Sequence, residues 1–250
     1  MEVHHPIAVE SHTSKKKWTH YFWEFLMLFL AVFCGFLAEY QLEHTIERDR
    51  EKQYMRSMIK DLGKDIINID ISIAQKNKDI QIADSLMQLF SSRDYRENTN
   101  FIYFLARRFS ISQFPFYLTD GTLTQLKNSG GLRLIHNQPI VDSLQAYVNL
   151  YRGFEELYRV LEEDQLKYYR DVMIQVFDVK VFDSMIKNMV IEMPKDNPIL
   201  FDDSPALINT FLMRVHLLKR NRIASTSYLV ALKQKANDLL LQIKQGYRLK

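Results

Sequence analysis

The most distinctive pattern along the chain is a long run of apolar residues close to the N-terminus. Residues 25–38 include no charged or strongly polar side chain, and extending the run back to Tyr21 adds a single carboxylate, Glu24. As a helix, residues 21–38 would be about 27 Å long, close to the ~30 Å hydrocarbon core of a bilayer. We therefore predict a transmembrane helix over residues 18–40. The residues assigned to the membrane span are Phe25, Leu28, Val32, Cys34 and Leu37.

Basic and aromatic side chains flank this run, as is typical of membrane interfaces. The predicted interface anchors are Lys15, Lys16, Lys17, Trp18, Trp23 and Tyr40. Because the lysines lie directly before the run, whereas Glu39, Glu43 and Glu47 come before the first arginine after it, the positive-inside rule places the N-terminus in the cytoplasm. We expect residues 1–17 to be a short cytoplasmic tail. Residues 41–250 would then form a periplasmic domain at the inner membrane of a bacterium.

Two other structures are compatible with an apolar run of this length. A cleaved signal peptide requires small residues before the cleavage site, but Phe36 occupies one of these positions before Glu39. A lipoprotein site at Cys34 has the same difficulty, because Phe33 precedes the cysteine. The second alternative is a buried core helix. An uncleaved span is the prediction, and both alternatives stay open at this point.

Beyond the run, apolar residues recur at steps of three and four, which is the period of a coiled coil or helical bundle. Three long helices are predicted, one continuing from the apolar run to Phe90 and the others over residues 138–177 and 204–245. Residues 67–73 (INIDISI) also alternate, so a local strand is the alternative there. The third series is interrupted at Arg222, which either marks a polar layer paired with a carboxylate of another helix or a shift of the apolar row.

Helix boundaries follow from capping residues, proline and glycine. Proline at the first turn predicts helix starts at Gln138-Pro139 and Ser204-Pro205, and the linker between them, residues 193–204, contains two further prolines. Shorter helices are predicted over residues 97–112 and 120–129, the second capped by Asp120 and ended by Gly130-Gly131. The predicted fold class is all-α, with an N-terminal single transmembrane helix continuing into an elongated antiparallel helical bundle.

Composition narrows the classes of function. The 250 residues carry 33 Lys+Arg and 30 Asp+Glu, so the net charge of +3 is too small to indicate a nucleic-acid partner. One cysteine excludes an intramolecular disulfide. The sequence contains no phosphate loop, dinucleotide fingerprint, HExxH or nucleophile-elbow motif, and we therefore expect no enzyme, no cofactor and no metal. Asp202 and Asp203 before the third helix are read as a capping pair, with an acidic metal corner as the alternative.

Three residues of the predicted span could mediate contacts within the membrane. A carboxylate such as Glu24 costs about 2.5–3.5 kcal/mol at the bilayer centre and less near its edge. It could contact a basic residue of a partner or conduct a proton or ion; the alternative is an interfacial position beside Lys17 or His20. Ala31 and Gly35 have the small-xxx-small spacing that allows two membrane helices to approach closely.

Three segments carry a resemblance to a group of proteins: HYFWEFLMLFLAVFCGFLAEYQLEH, then REKQYMRSMIKDL, and later TDGTLTQLKNSGGLRLI. They resemble uncharacterised single-pass membrane proteins of Bacteroidota-type bacteria, in which a Leu-x-x-Ser-Gly-x-Leu-like segment follows the charged helix, here at residues 126–132. The resemblance covers roughly residues 15–149. It implies topology and source, and it implies no chemistry.

The predicted function is a non-enzymatic, membrane-anchored interaction or scaffold module. We expect the lipid bilayer as one partner, and a partner protein or a second copy of the chain as the other. The alternative is a sensor or signal-coupling subunit with a periplasmic helical bundle.

Overall fold

The computed structural model describes residues 18–112 and 115–249, and these residues divide between two compact units, Met1–Arg50 and Glu51–Lys250. The predicted cytoplasmic tail, with the anchors Lys15, Lys16 and Lys17, lies outside the described residues. The described chain is almost entirely helical, which confirms the all-α class.

The three predicted long helices correspond to α1 (Trp18–Ser91), to the successive helices α4 (Gln138–Tyr158) and α5 (Asp164–Val176), and to α7 (Pro205–Tyr247). The short helices are α2 (Thr99–Ile111), α3 (Gly121–Asn128) and α6 (Val179–Ser184). Single turns of 3₁₀-helix at Tyr95–Asn98 and Gly131–Leu134, and a π-helical turn at Arg159–Glu163, complete the helical part. The strands β1 (Ile186–Lys187) and β2 (Val190–Ile191) form a minimal antiparallel hairpin, in which Ile186 pairs with Ile191.

The predicted helices are confirmed, with differences of a few residues at their ends. The alternative of a strand over residues 67–73 is wrong, because this segment lies inside α1. Residues 138–177 form one nearly continuous helical path, α4, the π-helical turn and α5. The predicted non-helical linker over residues 193–204 is also confirmed, because α7 begins at Pro205.

Cross-helix contacts define the topology of the second unit. α7 runs antiparallel to α1, because Asp70 pairs with Lys233 at 2.6 Å and the later residue Asp84 pairs with the earlier residue Lys219. α4 and α5 run parallel to α1, because Asp65 contacts Tyr147 and Lys76 contacts Glu162.

The remaining leg of this unit, which is second in chain order, is the path from α2 through α3. It runs back along α1, since Asp79 bonds Ser112 while the earlier residue Asp61 bonds Thr122. The second unit is therefore an up-down-up-down bundle of four legs, in which the second leg consists of short helices.

Buried rows on α1 and α7 follow steps of three and four, as the sequence pattern predicts. On α1 the buried row is Glu51, Met55, Met58, Leu62, Asp65, Ile69, Ser72, Lys76, Asp79, Ala83, Leu86 and Phe90. On α7 it is Phe211, Val215, Leu218, Arg222, Ser225, Leu229, Leu232, Ala236, Leu239 and Ile243. The predicted α1 isoleucines at 59, 66, 73 and 80 flank this row and are half-buried.

The buried apolar residues of the bundle form two clusters. Cluster A lies around Leu62, Leu144 and Leu239, and cluster B lies around Leu86, Phe109 and Phe211. On both α1 and α7, polar residues occupy the buried row between the part that belongs to cluster A and the part that belongs to cluster B. The core is therefore interrupted by a polar layer.

The start of α3 corrects a predicted cap. The side chain of Asp120 accepts no backbone hydrogen bond at this helix end. Asp61 of α1 accepts from the Thr122 amide at 3.1 Å and from the Thr122 hydroxyl at 2.5 Å. A carboxylate from a neighbouring helix thus supplies the cap that the local sequence assigned to Asp120. At the other end Gly130 adopts a left-handed conformation, φ 66°, which ends the helix as predicted.

Candidate functional site

The predicted membrane residues from Trp18 onwards all lie on α1 within the first unit. Among the described residues α1 is the one helix whose length and composition suffice to cross a membrane, and none of its apolar window is buried inside the chain. A core helix of a soluble protein is mostly buried, whereas a signal sequence meets the same criterion. The following side chains are exposed: Trp18, Trp23, Phe25, Leu28, Val32, Cys34, Leu37 and Tyr40.

Glu24 lies beside His20 on the same face of α1. Glu24 Oε2 and His20 Nδ1 are 3.8 Å apart. His20 is one of the neighbours that an interfacial position of Glu24 predicts. Ala31 and Gly35 are both exposed, and a Cβ added at Gly35 would meet nothing within 4 Å.

Four buried charged side chains lie close together in the polar layer of the second unit. Lys76 and Asp79 come from α1, Glu162 from the π-helical turn and Arg222 from α7. Their exposed fractions are only 1%, 5%, 6% and 1%, respectively. Fully buried charged side chains are rare unless they are paired, so we define these four residues as the charged layer.

One half of the charged layer is centred on Glu162. Lys76 Nζ and the Ser225 hydroxyl both donate to the same oxygen, Oε1 of Glu162. The Lys76 ammonium also lies 4.9 Å from the ring centroid of Tyr158, within range of a cation–π interaction. The lysine therefore has an anionic partner and an aromatic wall in place of water.

The other half joins Arg222 to Asp79. Arg222 Nη1 lies 3.4 Å from Asp79 Oδ2, an ion pair without hydrogen-bond alignment, and Nη2 donates to the Ser112 carbonyl oxygen at 3.2 Å. The Ser112 hydroxyl donates to Asp79 Oδ2. The guanidinium plane stands 4.2 Å from the ring centroid of Phe109. Ser112 thus links both members of this pair.

Loss of water is the main influence on the pKa values of Asp79, Lys76 and Arg222. Burial raises the pKa of the Asp79 carboxyl, and the nearby Arg222 charge and the Ser112 hydrogen bond oppose that rise. Burial likewise lowers the pKa of Lys76, opposed by Glu162, and that of Arg222, opposed by Asp79. Arginine remains protonated at physiological pH because its ordinary pKa is about 12.5 or higher. Two cations and two anions balance the layer.

The π-helical turn explains how Glu162 enters this layer. The buried positions of this path are spaced by four residues from Phe154 through Tyr158 and Glu162 to Leu166. In a regular helix of 3.6 residues per turn, three successive steps of four would rotate the last residue away from the core. The wider turn at Arg159–Glu163 takes up the excess residues and keeps Glu162 facing α1 and α7.

This arrangement is suited to specifying structure more than to catalysis. Its charged atoms are enclosed, and each charge is already paired. No group of three or more potential metal ligands occurs within residues 18–112 and 115–249. Buried ion pairs add little net stability compared with apolar residues, but breaking one is strongly destabilising. A layer of this kind fixes which residues of the helices face one another.

Of the four residues of the charged layer, the sequence predicts Arg222 and does not predict Lys76, Asp79 or Glu162. The pairing of Arg222 with a carboxylate of another helix is confirmed by Asp79. A shift of the apolar row at Arg222 is wrong, because the row continues through Leu218, Arg222, Ser225 and Leu229 without a break. Burial of Lys76 could have been predicted from its position in the row of buried residues on α1.

The acidic pair before α7 makes local contacts. Asp203 Oδ2 lies 2.6 Å from Arg96 Nη2 and accepts from the Tyr95 hydroxyl at 3.0 Å. The resulting hydrogen bonds and the Arg96 charge lower the pKa of Asp203. Asp202 accepts from the amide of Ser204 at 2.7 Å. The pair therefore joins the start of α7 to the turn before α2.

No family model, curated protein or solved structure matches this chain. The resemblance to single-pass membrane proteins of Bacteroidota-type bacteria therefore stays a prediction. Within residues 126–132, which contribute to it, Leu126 is fully buried in cluster A and Gly130 forms the left-handed helix end. These residues have structural roles in the second unit.

Proposed function

We propose that this chain is a non-enzymatic, single-pass membrane-anchored helical module that binds a partner protein. The apolar part of α1 is the anchor, the N-terminus lies in the cytoplasm, and the bundle lies in the periplasm of a bacterium. A C-terminal alkaline phosphatase fusion tests this orientation, since it would be inactive if the bundle were cytoplasmic. Ala31 and Gly35 offer a further contact for self-assembly within the membrane.

One observation carries the partner-binding proposal: three strongly exposed apolar side chains lie on backbone segments that are hydrogen-bonded next to cluster B. We define the connector patch as Val179, Ile199 and Phe201, whose exposed fractions are 76%, 86% and 73%. Large apolar side chains this exposed within a folded unit mark interaction sites when they are grouped.

Hydrogen bonds hold the connector patch together. The hydroxyl of Tyr103 accepts from the amide of Asp178 and donates to the carbonyl of Ile199, each at 3.0 Å. Asp178 directly precedes Val179, so one hydroxyl fixes the backbone at both sites. The Phe201 amide donates to the Val176 carbonyl at 2.9 Å, which fixes the third site against the end of α5. The patch therefore belongs to a fixed backbone, as a protein-binding surface requires.

Replacing the connector patch with charge is expected to abolish partner binding and to leave the bundle folded. The variant Ile199→Asp/Phe201→Asp changes two exposed side chains, and substitutions of this kind alter stability by about 0.5 kcal/mol or less. Charge at the centre of an apolar interface is costly, so co-purification of the partner from detergent extracts should be lost. Circular dichroism and the thermal midpoint verify the fold.

The matched control is Val230→Asp/Leu241→Asp on α7, where the exposed fractions are 54% and 53%. This control should retain the partner. Equal recovery of the partner with both variants would contradict the proposal, as would a wild-type extract that yields only the bait.

The charged layer favours a second candidate, a sensor or signal-coupling subunit. Helices that pack through specific side-chain pairs change between distinct packing arrangements more readily than they deform continuously. For such a subunit, ligand binding would alter hydrogen exchange of the α7 amides around Arg222. Unchanged exchange at saturating ligand would contradict this candidate.

A further inference from the structure

A groove outside the core lies directly against the charged layer. It has a volume of about 470 Å³, and α1, the end of α2 and the β1–β2 hairpin form its walls. Asp79 and Ser112, which belong to the Arg222 half of the polar layer, also line this groove. The volume is within the range typical of small-molecule sites. The groove is thus a cleft of ligand size that connects with the polar interior.

The groove walls are mostly apolar. The apolar lining residues are Ile82, Phe104, Ile111, Met189, Val190 and Ile191. Three of them belong to the hairpin, whose turn residues Asn188 and Met189 have positive φ angles of 49° and 63°. This conformation is uncommon for residues other than glycine, and it carries Met189 at the groove wall. Met189 and Val190 are 97% and 60% exposed, so the hairpin forms the open apolar edge of the groove.

The polar side chains that line the groove are Gln75, Lys78, Asp79, Arg108 and Ser112, and two of them are cations. Lys78 lies on α1 and Arg108 on α2, and both are exposed. Neither forms an ion pair with any carboxylate in residues 18–112 and 115–249. The Arg108 guanidinium stands 5.5 Å from the ring centroid of Phe104, which orients it along the apolar wall. The remaining charge, Asp79, is already neutralised by Arg222.

We propose that this groove binds a small organic carboxylate with an aromatic or branched apolar body. The apolar walls would receive the body, and Lys78 and Arg108 would bind the carboxylate from the two sides. Arginine and lysine form charge-assisted hydrogen bonds to carboxylates, and here no competing anion of the described chain occupies them. This site does not depend on the partner-binding proposal, because the connector patch and the groove share no residue.

The experiment uses the full chain in phosphatidylcholine nanodiscs and 4-(trifluoromethyl)phenylacetate as the probe, followed by ¹⁹F NMR. Binding to empty nanodiscs is subtracted. The uncharged probe 4-(trifluoromethyl)phenylacetamide has the same apolar body and tests the role of the carboxylate. The variant Lys78→Gln/Arg108→Gln removes both cations, and Lys127→Gln/Arg152→Gln makes the same charge change at exposed residues outside the groove. Circular dichroism verifies that each variant is folded.

We expect saturable binding of the acid, with an affinity about tenfold or more above that of the amide. Lys78→Gln/Arg108→Gln should weaken acid binding about tenfold, whereas Lys127→Gln/Arg152→Gln should leave it unchanged. Absence of saturable binding to the wild type would overturn the proposal. Equal affinities for acid and amide, or an equal loss in both double variants, would overturn it as well.

Discussion

Replacement of Arg222 by leucine is expected to lower the free energy of unfolding by about 3–5 kcal/mol, because it leaves Asp79 as a buried anion without its partner. The guanidinium is 1% exposed, and it contacts Asp79, the Ser112 carbonyl and the ring of Phe109. Leucine restores none of the polar contacts. Urea unfolding of the full chain in mild detergent, followed by far-UV circular dichroism, measures the change.

A fourfold apolar replacement should behave differently from the single one. Lys76→Met, Asp79→Leu, Glu162→Leu and Arg222→Met together remove every charge of the layer, so no ion is left unpaired. Replacing a buried ionic network in this way is expected to be neutral or to stabilise by about 1–4 kcal/mol. The exposed control Arg152→Leu should change stability by about 0.5 kcal/mol or less. If the fourfold variant were as unstable as Arg222→Leu, the layer would not act through paired charges.

Arginine at two positions of the apolar run is expected to remove the chain from the membrane. Phe29→Arg/Phe33→Arg places two charges near the middle of the predicted span, at a cost of about 3–4 kcal/mol each, which includes the lost phenylalanine contribution. Both phenylalanines are exposed within the chain, so the bundle itself does not require them. Ultracentrifugation and alkaline carbonate extraction of cell membranes measure the outcome.

The matched control is Ile67→Arg/Ile71→Arg, a pair with the same spacing on the part of α1 that belongs to the second unit. These side chains are 61% and 55% exposed, and the variant should remain in the carbonate-resistant fraction. An intact mass of the mature protein separates an uncleaved anchor from a signal peptide. A mature chain that lacks the apolar run, or a Phe29→Arg/Phe33→Arg variant that stays in the membrane, would contradict the anchor.

The long helices could be predicted from the sequence because their signal is repeated many times. Steps of three and four over dozens of residues outweigh the local strand propensity of residues 67–73. Proline at the start of α4 and α7 marked boundaries that depend on local geometry alone. The role of Arg222 could also be predicted, because a charged residue within a row of apolar positions implies either a buried partner or a break in the row.

The features that the sequence does not predict depend on contacts between residues that are distant in the sequence. Lys76 and Glu162 are 86 positions apart, and their contact requires the π-helical turn, whose register no local pattern specifies. The cap of α3 comes from Asp61 on another helix, although Asp120 stands at the locally favoured position. The connector patch follows no sequence period, because Val179 begins α6 whereas Ile199 and Phe201 lie in the irregular linker before α7. Hydrogen bonds to Tyr103 and Val176 join the two segments.

Photo-crosslinking in intact cells tests the central claim, partner binding through the connector patch, most directly. A photoreactive amino acid replaces Phe201 in one full-length variant and the exposed Glu156 in the control, followed by irradiation, purification and mass spectrometry. We expect one discrete adduct with another protein from position 201 and none from position 156. Absence of an adduct at position 201, or the same adducts from both positions, would contradict the proposed function.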